Sequence, residues 1–302
     1  MSPKPKAHIA LFTVALIYGA NYTVAKEVMN NGYIQPVGFI LIRVTAALFF
    51  FQVFQRLFIR EKIARQDLLR FFLCGLFGVA INQICFFSGL KYTTPINASL
   101  IMTTTPILVL LSSAILIGEK ITFQKILGIL IGATGAIMLI SFGQKVDFQR
   151  EQLFGDLLIL INACSYGIYI VLAKTLMDKY QPLTVVSWIF FFGWLFIIPL
   201  GFKEASMVEW GSFPLHIWLA VAFVILLATV VTYLLNAFAL SIVNPSTVSI
   251  YIYLQPLLAS AIALAFAKDK LEPEKVLAGA MIFVGVYLVS QSSVKKAVAK
   301  KG

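Results

Sequence analysis

Ten apolar runs follow one another along the chain, at approximately 8–29, 35–56, 68–90, 95–117, 123–141, 153–175, 182–201, 214–240, 245–267 and 274–293. A helix needs about 20 apolar residues to cross the hydrocarbon of a bilayer. Inside hydrocarbon only helices and closed barrels satisfy their own backbone hydrogen bonds. The pattern therefore predicts an all-α polytopic membrane protein with ten transmembrane helices. Ten such spans take about 200 residues of a 302-residue chain, which leaves no room for a large domain outside the membrane. Only 12% of residues are charged, against roughly 25% in soluble domains.

Several runs start with a proline, Pro36, Pro95, Pro182, Pro214 and Pro245, whose missing N–H costs nothing at the first helical position. Thr94 and Asn244 precede two of them as N-cap candidates. Cys74, Cys85 and Cys164 fall within apolar runs without metal-ligand spacing, and are read as packing residues. Lys4 and Lys6 precede the first apolar run, but no small-residue cleavage site follows, so this run is expected to be a retained span.

The net charge of +11 would suggest nucleic acid in a soluble protein; here the basic residues flank spans, and no nucleic-acid partner is expected. Counting Lys and Arg in alternate loops gives fifteen on one side, including Arg56 to Arg70, Lys174 and the tail lysines, and eight on the other. The positive-inside rule then puts both termini in the cytoplasm.

The chain also repeats itself. Tyr18-Gly19 and Ala25-Lys26 recur as Tyr166-Gly167 and Ala173-Lys174, an offset of 148. At offset 150, Pro95 matches Pro245, Ser99 matches Ser249, Pro106 matches Pro256, Glu119-Lys120 matches Asp269-Lys270, Lys125 matches Lys275 and Gly135 matches Gly285. This divides the chain into a first repeat, 1–143, and a second, 144–302. Five spans per copy is an odd number, so the second copy enters the membrane upside down. An inverted 5+5 repeat is the architecture of secondary transporters, in which the two copies alternate in opening a central site.

Gly19-Ala20-Asn21 in the first span, Arg43 in the second, Pro95-x-x-Ala-Ser99, Thr105-Pro106 and Gly118-Glu119-Lys120 together resemble the drug/metabolite transporter superfamily, EamA type. The resemblance covers nearly the whole chain. It implies a ten-helix inner-membrane carrier with a central cavity between the halves, often an exporter of amino acids or related metabolites. Tyr18 stands where a tryptophan commonly precedes the glycine.

Polar groups within spans tend to face a cavity or the bundle interior. Asn82, Gln83 and Phe86 share one helical face, and Thr229, Thr232, Tyr233 and Asn236 share another at i, i+3, i+4, i+7 spacing. They correspond at offset 150. Tyr18 and Asn21, and Asn162, Tyr166 and Tyr169, form further faces. Thr105, Tyr251, Tyr253 and Gln255 surround the mid-span prolines Pro106 and Pro256. These faces are read either as the lining of a binding cavity or as hydrogen-bonded glue between helices. Gly19 and Gly167 are read as close-packing positions. The two prolines remove a backbone bond and predict a bend at mid-membrane, either hinge or static kink.

Arg43 lies seven residues past Pro36, about 10 Å along the helix. It suits either a substrate carboxylate or, the favoured reading, an external gate near Lys26 and Glu27. Glu119 and Asp269 sit near span ends and are expected to pair at the interface with Lys120 and Lys270. No carboxylate lies clearly at mid-membrane, so a buried proton relay is not visible.

The function read from the sequence is secondary transport of small amphipathic metabolites, amino acids foremost, as exporter or facilitator. The partners are the substrate and the bilayer, the assembly monomer or homodimer, with no cofactor or metal. An intramembrane enzyme would need a nucleophile and base, yet His8 and His216 stand at span starts. A channel would need a filter-like motif, and none is present. A reporter fused after Lys301 is expected to read as cytoplasmic; an external signal would reverse the orientation.

Overall fold

In a computed structural model the described residues are 3–30, 32–59, 61–141, 152–265 and 273–299, and all regular structure among them is helical. The helices are α1 (Pro3–Asn30), α2 (Pro36–Phe58), α3 (Leu68–Gly75), α4 (Asn82–Tyr92), α5 (Pro95–Met102), α6 (Thr105–Ile117), α7 (Phe123–Ser141), α8 (Leu153–Met177), α9 (Pro182–Ser206), α10 (Leu215–Ile225), α11 (Thr232–Ile242), α12 (Pro245–Ser249), α13 (Leu254–Ala265) and α14 (Pro273–Ala299). Eight continuous helical stretches among the described residues are long and apolar enough to cross a membrane.

Where they are described the expected spans are helical, but the first and ninth are not among those eight, and four are not uniform. α3 runs into α4 through a π-helical turn, Leu76–Ile81, and α10 into α11 through another, Leu226–Val231, 150 positions later. The fourth and ninth spans break rather than bend. α5 stops at Met102 and Thr105 opens α6, with Pro106 in its first turn; α12 passes through a 3₁₀ segment, Ile250–Tyr253, before α13. This corrects the expected mid-span kink: a proline near a helix start removes an N–H that needs no intrahelical partner, so the helix restarts there. Thr94 caps α5 by accepting from the Asn97 N–H at 3.1 Å, whereas the Asn244 side chain makes no cap bond.

Two antiparallel seams hold the two halves of the chain together. Along α2 and α9, Gly38 lies against Glu204, Trp194 Nε1 donates to Thr45 Oγ1 at 2.9 Å, and Phe51 packs edge-on against Phe190. Along α7 and α14 the approach is closer. A Cβ added at Gly285 would stand 2.6 Å from the Gly128 carbonyl, and one at Gly135 2.7 Å from the Ala278 carbonyl. These two contacts are the same contact shifted by 150 positions in both partners. Small residues here let backbones meet where no hydrophobic effect drives helices together.

Charges that the sequence assigned to the interface are partly buried. Glu119 pairs not with Lys120 but with Lys125, at 2.5 Å, their side chains 5% and 2% exposed. Glu119 also accepts from Ser246 Oγ at 3.0 Å, a bond between the halves. The reason is positional: Gly118 takes a left-handed conformation (φ 64°) that ends α6, turning Glu119 inward beside the first turn of α7. Asp269 and Lys270 lie outside the described residues. At the junction of α8 and α9, Asp67 accepts from Lys179 Nζ at 2.8 Å and Tyr180 Oη at 2.9 Å, tying the two halves again.

Gly285→Leu is expected to lower the melting temperature of the purified protein, because overpacking here costs about 1–3 kcal/mol; an unchanged transition would discount the seam. Lys125→Met leaves Glu119 buried without its cation and is expected to cost about 3–5 kcal/mol, most of it recovered in the Glu119→Gln/Lys125→Met double variant. Thermal unfolding in detergent checks both.

Candidate functional site

The interrupted helices meet at the centre of the bundle. A π turn breaks the regular i→i−4 ladder, and carbonyls there are taken by side chains from other helices. Ser165 Oγ donates to the Phe77 carbonyl, Tyr233 Oη to the Gly78 carbonyl at 3.2 Å, and Asn162 Nδ2 to the Asn82 carbonyl at 2.7 Å. In the second π turn, Thr229 Oγ1 donates to the Val224 carbonyl, five residues back, at 2.7 Å. Near the break between α5 and α6, Tyr253 Oη donates to the Thr103 carbonyl at 3.0 Å.

Two contacts here join residues 150 positions apart. Gln83 Nε2 donates to Tyr233 Oη at 3.0 Å, and Tyr253 reaches Thr103. Each is a bond between a residue and its own counterpart in the repeat register. Each bond brings the two matched halves into direct contact at this point.

Around this point lies a cavity of about 130 Å³, with room for roughly four water molecules at liquid density and hence for a small metabolite. Tyr18, Asn21, Asn82, Gln83, Tyr166, Tyr169, Tyr233, Asn236 and Gln255 line it, drawn from both halves, with Arg43, Asn162, Phe86, Phe87, Met102 and Ile252 beside them. The rings of Tyr166 and Tyr169 are 6.0 Å apart. Among the described residues no Asp or Glu stands on the wall.

The sequence-derived candidates divide accordingly. Nine of the twelve named for binding stand on the wall together. Three do not. Thr105 is fully buried, with its hydroxyl toward Met102 Sδ; Tyr253 is spent on the Thr103 carbonyl; and Thr232 turns back on the Ala228 carbonyl at 2.9 Å while bonding Tyr18 from behind. Helical spacing identifies a face, but not whether that face meets space or a neighbouring helix. Pro106 and Pro256 start helices away from the wall, and the side chain of Lys26 lies outside the described part. Gly167 faces the main chain of α6 at Leu108, as a packing position does.

Arg43 is placed differently from the expected gate. Its guanidinium contacts Thr229 and the Phe87 ring, on the cavity wall, while Glu27 is exposed. The apolar liners Phe87, Met102, Ile170 and Ile252 carried no signal in the sequence, since nothing distinguishes them from lipid-facing residues of the same type.

The EamA-like transporter family model matches the chain twice, over residues 5–141 and 153–291. An uncharacterized transporter, YyaM of Bacillus subtilis strain 168, is 24% identical over 94% of this chain and 93% of its own length. A probable terminal-alkyne amino-acid exporter of Streptantibioticus cattleyicolor is 23% identical over 77% of this chain and 76% of its own. A solved crystal structure superposes with a TM-score of 0.77 at 18% identity, over 97% of this chain and 99% of that one, a likeness of fold alone. With both halves matched and the multi-pass helical architecture in place, the chain belongs to the EamA-like transporter family.

Proposed function

We propose that this chain is a secondary carrier of small amphipathic metabolites, amino acids or close relatives, which works by alternating access around the central cavity. The observation that carries the reading is the bond between Gln83 and its counterpart Tyr233 on the cavity wall, with the wall itself drawn from both halves. A site on the axis of two oppositely directed copies can be exposed to either side by rocking one copy against the other.

Three features support the inverted 5+5 repeat that this mechanism requires. The seam partners α7 and α14, counterparts at offset 150, run antiparallel. The π turns recur at the same offset. The packing also exchanges partners: α1 lies on α11 and α13 of the second half, while α8 lies on α4 and α6 of the first. The cavity is complete within one chain, so a monomer suffices. The distribution of Lys and Arg supports cytoplasmic termini, and the family resemblance supports residence in the inner membrane.

The chemistry of the wall favours the substrate class. Amide, hydroxyl and aromatic groups suit a small molecule with one polar end and one apolar end, and a single cation without a carboxylate disfavours multiply charged cargo. The relative named as an amino-acid exporter points the same way.

Counterflow in proteoliposomes tests the carrier reading without assuming any coupling gradient. Vesicles preloaded with pooled amino acids and small metabolites are expected to accumulate a labelled member of one class saturably. Asn82→Ala is expected to weaken that exchange several-fold while the protein still folds. Absence of exchange across the pool by folded wild type, or single-channel currents, would overturn the proposal.

A further inference from the structure

Among the described residues, the cavity wall holds one cation and no carboxylate to neutralise it. Arg43 is 4% exposed. Its Nε donates to Thr229 Oγ1 at 3.1 Å, and its Cζ stands 4.8 Å from the centroid of the Phe87 ring. Thr229 is a neutral partner whose own proton goes to the Val224 carbonyl. Nη1 has no hydrogen-bond partner, and the ion pairs of the described residues all lie elsewhere. A guanidinium keeps its charge in any protein environment, and a buried charge without a counter-ion is strongly unfavourable.

The opposite need appears on the same wall. Gln83 Oε1, Asn162 Oδ1 and Asn21 Oδ1 are buried acceptors without a partner. For two of them the amide orientation is fixed by its surroundings. Asn162 Nδ2 donates to the Asn82 carbonyl, which can only accept. Gln83 Nε2 donates to Tyr233 Oη, whose proton is committed to the Gly78 carbonyl. The oxygens are therefore the ends left over. One unmatched cationic donor and three unmatched acceptors share a single small cavity.

We infer that Arg43 is the carboxylate anchor of the transport site, and that Asn21, Gln83 and Asn162 receive the N–H donors of the same cargo molecule, which makes the cargo a net-neutral zwitterion. The assignment rests on the carrier reading above and adds to it a polarity within the cavity. A simple carboxylate matches Arg43 and leaves three amide oxygens unpaired. A simple amine brings a second cation into a cavity that has no carboxylate. A molecule with both groups satisfies both needs, and leaves Phe86, Met102 and Ile252 to meet its apolar portion. A bidentate contact to a carboxylate is also geometry that lysine cannot reproduce.

The test is counterflow by the full-length protein with three matched pools: the standard amino acids, their primary amides, and the corresponding 2-deaminated acids. The amino acids are expected to exchange at least tenfold better than either analogue pool. Arg43→Gln is expected to lose roughly tenfold or more of amino-acid exchange, and Arg43→Lys to recover it only in part. Amides exchanged as well as their parents, or Arg43→Gln exchanging like wild type, would overturn the anchor while leaving the carrier intact. No saturable exchange of any pool by folded wild type would overturn the carrier reading and the anchor with it. If Arg43→Gln does not fold, discrimination among the three pools by wild type decides alone.

Discussion

A backbone carbonyl in a bilayer has no water to turn to, and the centre of this molecule is organised by that constraint. Each break in a helix exposes main-chain groups, and in the first half of the chain these are covered by side chains from the second. Asn162 and Ser165 of α8 cover carbonyls at the π turn of the third span; Tyr233 covers another there; Tyr253 covers the gap between α5 and α6. The breaks and the contacts between halves are therefore the same feature. A straight helix would have packed without a cavity; a broken helix without these side chains would not be stable in hydrocarbon.

The seams and the cavity divide the work of the interface. Along α7 and α14 backbones touch, with Gly128, Gly132, Gly135 and Gly285 where a Cβ would collide. The buried Glu119–Lys125 pair, bonded to Ser246, adds a polar fastening between the halves at the junction of α6 and α7. Between these fastenings the halves part, and the wall that appears is made of side chains rather than main chain. Its polar atoms are held in place by the bonds that cover the helix breaks, so the orientation of Gln83 and Asn162 is a by-product of backbone satisfaction.

Much of the site was legible in the sequence because polar residues are rare in apolar spans. Asn82, Gln83, Tyr233 and Asn236 stood out at helical spacing, and the structure puts all four on the wall. The same rule selected Thr105, Thr232 and Tyr253, which are equally buried but engaged elsewhere, Thr105 with the Met102 sulfur and the other two with backbone carbonyls. A hydroxyl that serves a carbonyl and one that faces a cavity leave the same trace in a sequence. Arg43 was conspicuous for its depth, yet its neighbours Thr229 and Phe87 come from other spans, and no spacing announces them.

The sequence by itself determined the all-helical membrane architecture, because run length against bilayer thickness admits little else. It also determined the duplication, because prolines, glycines and charges recur in one register. Only the tertiary structure decided where the helices break, that Glu119 chooses Lys125 over Lys120, and which polar faces border space. These depend on what lies across the interface. Periodicity along one helix records the direction a side chain points, and the neighbour it meets there belongs to another part of the chain.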